Sequence, residues 1–117
     1  MPYGGAYTAR SPGELRTFSF DLAGDLDRGD TIASVTTTLV AHPAASGDPD
    51  AGALLVGWPQ RLLGPRGDLT VVAQQIGANP SKPAGFVPSI TYAWTISVVA
   101  ESGDTLVWTV MIPVAAA

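Results

Sequence analysis

The side chains that could do chemistry in this chain are few, and their spacing does not assemble a site. His42 is the only histidine and stands directly before Pro43 at the head of a loop. A metal centre there would need distant carboxylates and would lack a second imidazole, so no metal ligand set is expected. Asp21, Asp25, Asp27 and Asp30 are dense enough to suggest a calcium loop. The EF-hand pattern, however, requires a closing Glu at its twelfth position, and no Glu stands there, so a solvated turn is expected instead. Arg28-Gly29-Asp30 and Arg66-Gly67-Asp68 repeat a tripeptide with adhesive associations. Both fall where Gly-Asp is expected for turn formation alone. A serine nucleophile would have to borrow His42, and the chain has no G-x-S-x-G elbow. Glu14 and Glu101 lie in a linker and a turn, not as a facing pair for glycoside chemistry. There is no G-x-x-x-x-G-K phosphate loop. No catalytic residue, cofactor site or metal site is therefore expected, and the chain is not expected to be an enzyme.

The aromatic residues carry more information. Trp94 and Trp108 fall on strand-like segments and are expected to form a core cluster. Trp58, in the loop-like GWPQ, is expected to be partly exposed or to act as a lid over the core. Aromatic anchors in loops dominate protein contacts, so the expected interface residues are Tyr3, Tyr7, Trp58, Phe86 and Val87.

The elements that must position these residues are strands. The 117 residues suit one domain, and 46% hydrophobic with 14% charged residues excludes a disordered tail. The net charge is −4 and the six basic residues are scattered, which gives no stripe to neutralise phosphates, so nucleic acid is not an expected partner. With no cysteine, stability is expected to come from packing, as suits assembly in a reducing cytoplasm. No apolar run approaches the roughly 20 residues of a membrane span, and no membrane partner is expected. Residues 1–14 read as an extended arm, 15–114 as the domain and 115–117 as a tail. Phe18, Phe20 and Leu22 alternate as the buried face of a first strand. Residues 23–30 are turn chemistry, and TIASVTTTLVA resumes a β-branched strand. Ala53 to Val56 reads as a short strand closed by Gly57 and Pro59, with residues 60–68 as turns and LTVVAQQI as another strand. Residues 77–88 hold three prolines and read as a surface loop. Ile90, Tyr92, Trp94, Ile96 and Val98 alternate through a central strand, and residues 100–104 turn it into a last strand bearing Leu106, Trp108, Val110 and Ile112. Pro113 suggests that this last strand lies at an edge. Six or seven short strands with turns every roughly 8–12 residues predict an all-β antiparallel sandwich.

DLAGDLDRGDTIASVTTTL and the closing SITYAWTISVVAESGDTLVWTVMIPV together resemble a group of small tailed-phage virion proteins of the fibre-tail adaptor type. Gly29, Asp30, Thr31, Ile32, Tyr92, Gly103 and Val114 sit where that pattern would put them. The resemblance covers about Arg16 to Val40 and Ile90 to Val114; Arg61 to Pro88 departs from it, being longer and richer in proline. It implies an immunoglobulin-like fold and a structural protein of the virion, assembled in the host cytoplasm as a homo-oligomer or symmetric ring. The implied role is to link tail or connector to fibres by binding other virion proteins. Capsid decoration is a variant of this reading. A different class, a carbohydrate-binding or adhesion module, would use Trp58, Asp48 and Asp50. The two part on whether those residues gather in one concave, solvent-facing site.

Overall fold

A computed structural model describes residues 3–6, 11, 13–22, 24–26, 29–42, 47–65 and 67–115, with backbone only for 3–6 and 42. Seven strands form among the described residues: β1 (Tyr3–Ala6), β2 (Leu15–Asp21), β3 (Ile32–His42), β4 (Leu55–Leu63), β5 (Leu69–Gly77), β6 (Thr91–Ala100) and β7 (Thr105–Pro113). They make two sheets, ordered β1-β7-β6-β3 and β2-β5-β4. With the strands lettered A to G in chain order, B-E-D faces C-F-G, the arrangement of an immunoglobulin-like sandwich. The neighbouring strands pair antiparallel except β1, which runs parallel to β7.

Period-2 alternation produces this result because successive side chains of a strand point to opposite faces. On β6, Tyr92, Trp94, Ile96 and Val98 are all fully buried, and β7 places Ile112, Val110, Trp108 and Leu106 directly across from them. Phe18 on β2 and Leu22 just past its end close the core from the other side, with Phe20 partly buried against it. Each such side chain contributes about 1.5–3 kcal/mol on full burial. The indoles are paired across the layers: Trp94 meets Phe18 at a ring separation of 6.4 Å, and Trp108 meets Phe20 at 6.0 Å. In antibody domains a disulfide joins the strands equivalent to β2 and β6. Here the Phe18–Trp94 pair bridges those same strands.

Three expectations change. The arm contributes to the domain, since Tyr3–Ala6 pairs with Thr109–Met111 of β7. That pairing also covers β7, so β7 is an interior strand; Pro113 lies beyond the stretch that β1 uses and interrupts no ladder there. Lastly, β4 runs through Gly57 and Pro59 to Leu63, where the sequence suggested turns, and the short apolar segment before it is a 3-10 turn at Ala51–Leu54.

Candidate binding surface

The continuation of β4 past Gly57 and Pro59 depends on a bulge. The register jumps from Val56↔Gln75 to Gln60↔Ala73, so four residues advance on β4 against two on β5. The extra length is absorbed by Gly57, at φ 70°, and by Pro59, which has no N–H to leave unpaired. The carbonyls that the ladder no longer uses are taken up from inside the sandwich. Gln74 stands opposite Phe18, faces inward and is 2% exposed. Its amide donates to the carbonyls of Val56 at 2.9 Å and Gly57 at 3.1 Å, and its oxygen accepts from Thr37 of β3 at 3.2 Å. One buried side chain thus latches the bulge and ties the two sheets together.

The latch presents Trp58 to solvent at 89% exposure, the largest value among the exposed large hydrophobic residues. Two hollows adjoin it. One, of about 340 Å³, lies over the outer face of β2, β5 and β4, and the other, of about 300 Å³, lies between β3 and β4. Trp58 lines both. Further along β4, Leu62 and Leu63 are exposed, while Arg61 reaches across to donate to the carbonyls of Ile32 and Ala33 on β3.

The other expected interface residues lie elsewhere. Phe86 is 2% exposed, packed edge-on against Tyr92 at 5.3 Å, so it is a core residue and not a surface anchor. The proline-rich loop carries it inward, where the ring's apolar area is removed from water beside Tyr92. Val87 is half-buried, and its N–H donates to the Tyr92 hydroxyl at 2.9 Å. Tyr3 lies on β1 with only its backbone described, and Tyr7 lies outside the described residues.

Asp48 is also removed from the surface. It is buried and receives the Tyr92 hydroxyl at 2.5 Å, the Lys82 ammonium at 3.0 Å and the N–H of Asp50 at 3.2 Å. Burial acts to raise its carboxyl, but the hydrogen bonds from Tyr92 and Lys82 and the nearby ammonium outweigh that and hold it below the ordinary carboxylate value. The Tyr92 phenol is pushed well above its ordinary value, by burial first and by the Asp48 carboxylate second. Asp50 remains exposed, so Trp58, Asp48 and Asp50 do not form the solvent-facing acidic site that an adhesion module was expected to use.

The aspartate-rich turn is structural in the residues described. Asp25 accepts from the Trp108 indole at 3.1 Å. Asp30 accepts from Ser102 Oγ at 2.7 Å and from the N–H groups of Thr31 and Ser102, and the Ser102 hydroxyl leads these contacts in lowering its carboxyl. Gly29 and Gly67 take φ values of 85° and 82°, the positive-φ backbone that turn chemistry expects of the glycine in each Gly-Asp pair. Among the described residues there is no cluster of three metal-ligating side chains, and no helix is long and apolar enough to cross a membrane.

Sequence reasoning missed Gln74, Lys82 and the acceptor role of Asp48. A signal existed for two of them. Gln74 falls on the inward phase of an otherwise apolar strand, and Lys82 is the only lysine, set in a loop of prolines. No protein-family model matches this chain, and no curated protein and no solved structure matches it.

Proposed function

We propose that the chain is a structural protein of a tailed-phage particle, an adaptor in the tail or neck region that links tail or connector to fibres by binding its neighbours and performs no catalysis. The reading starts from the resemblance of its first and last strand pairs to fibre-tail adaptor proteins. The observation that supports it best is the exposed end of β4, where Leu62 is 42% and Leu63 67% solvent-accessible on the edge strand of its sheet. Adjacent leucines on an edge strand are a liability in a free monomer and an asset where a neighbour covers them. In the particle the chain repeats as a homo-oligomer or ring. Capsid decoration is the variant in which the same contact seats it on the head.

Light scattering of the purified chain, alone and mixed with disrupted particles of its phage, tests this. Association at fixed stoichiometry, lost in Leu62→Glu/Leu63→Glu, is expected. A chain that stays monomeric and ignores the particle proteins would overturn the reading. Electron microscopy of labelled copies separates tail from head.

A further inference from the structure

We propose that the hollow over Ala73 is a binding site for a neutral saccharide, with Trp58 as its stacking wall. This stands independently of the virion reading and uses different residues from its leucine contact.

The hollow exists because the middle of the central strand carries only a methyl group on its outer face. Ala73 lies in register between Ser19 of β2 and Gln60 of β4, and the next row along is Thr17 and Gln75. The longer side chains of Thr17, Gln60 and Gln75, with Trp58 on its bulge, line an open hollow of about 340 Å³ over Ala73. That volume is at the lower end of the roughly 300–1,000 Å³ usual for small-molecule sites, which suits one or two sugar rings.

The lining selects the chemistry. Thr17, Gln60 and Gln75 are exposed at the hollow, and none of the described residues that line it carries a carboxylate, ammonium or guanidinium. A charged ligand such as a phosphate or a carboxylate finds no counter-charge among these described residues. Each Gln amide supplies donors and an acceptor together, and a threonine hydroxyl supplies both from one atom. Neighbouring sugar hydroxyls present that same mixed pattern. A pyranose also has a face of C–H groups, weakly positive, which complements the negative face of an indole. The backbone that carries the wall is held in place, because Gln74 fixes the carbonyls of Val56 and Gly57 immediately before Trp58.

The test is an NMR titration with neutral gluco-, galacto- and N-acetylglucosamine oligosaccharides. The chain has three indole N–H signals, of which Trp94 and Trp108 are in the core. At least one oligosaccharide series is expected to shift the Trp58 indole and the Gln60 and Gln75 side-chain amides, with a Kd of about 1 mM or tighter, leaving the core indoles in place. Trp58→Ala and, separately, Ala73→Leu, which fills the floor while keeping the indole, are each expected to weaken binding about tenfold or more, with the remaining spectrum unchanged. The proposal is overturned if no oligosaccharide moves Trp58 at about 10 mM, tenfold above that Kd, or if Ala73→Leu binds as the parent does. It is also overturned if particle proteins perturb the Trp58 signal while no oligosaccharide does, since the hollow would then belong to a protein contact.

Discussion

The hydroxyl of Tyr92 and the carboxylate of Asp48 meet at 2.5 Å in the interior, although 44 positions separate them in the chain. Lys82 closes the group from a third segment, so a loop after β3, a loop before β6 and β6 itself are fastened at one point. The same phenol accepts the Val87 N–H, which is how a tyrosine at the start of the sixth strand anchors its upstream corner in immunoglobulin-like domains.

Removing the carboxylate should therefore be costly. Asp48→Ala leaves the Lys82 ammonium, only 17% exposed, without its partner and the Tyr92 hydroxyl without its acceptor. A loss of roughly 2–4 kcal/mol is expected, against about 1–2 kcal/mol for Tyr92→Phe. Urea denaturation measures both as shifts in midpoint at unchanged slope. An Asp48→Ala/Tyr92→Phe double mutant should cost less than the sum of the two.

The same pair sets two pH limits. The folded carboxyl of Asp48 lies below its ordinary 3.8, so folding favours the ionised form; its stabilisation is complete above about pH 4 and is lost as pH falls through the folded value. The folded phenol of Tyr92 lies above its ordinary 10.0, so folding favours the protonated form; that stabilisation holds below pH 10 and declines as pH rises beyond it. Unfolding free energies measured from pH 2 to 11 should fall at both ends. Tyr92→Phe should flatten the alkaline limb, and an unchanged limb would mean that another group controls it.

Gln74→Leu keeps the volume of the latch and removes its amide. The carbonyls of Val56 and Gly57 lose a partner and Thr37 loses its acceptor, so a cost of roughly 2–4 kcal/mol is expected. Hydrogen exchange should accelerate in residues 56–61 more than in β6. Uniform acceleration would show that the residue supports the whole fold and not the bulge in particular.

Asp25→Ala removes the acceptor of the Trp108 indole, which is 2% exposed, and is expected to cost about 1–2 kcal/mol. Asp30→Ala, which frees the surface hydroxyl of Ser102, should cost less, because water replaces the lost contact. Thermal denaturation of the two variants side by side checks the order.

The two layers follow from local periodicity in the chain. Phe18 and Leu22, the Tyr92–Val98 alternation and Leu106–Ile112 are local patterns of period 2, and a residue's phase along a strand decides its face before any neighbour is known. Turn chemistry in residues 23–30 and 100–104 is equally local. Leu26, buried within the first of those turns, escaped the pattern because turns have no period. The surface, by contrast, is set by contacts between distant segments. Phe86 is in the core because its loop folds back over Tyr92, and Asp48 is buried because Lys82, 34 residues on, arrives to pair with it. Gly57 and Pro59 read as the end of a strand until Gln74, from the neighbouring strand, replaces the hydrogen bonds they disrupt. In each case a side chain from elsewhere in the chain supplies what the local sequence lacks, and no local pattern specifies which one will arrive.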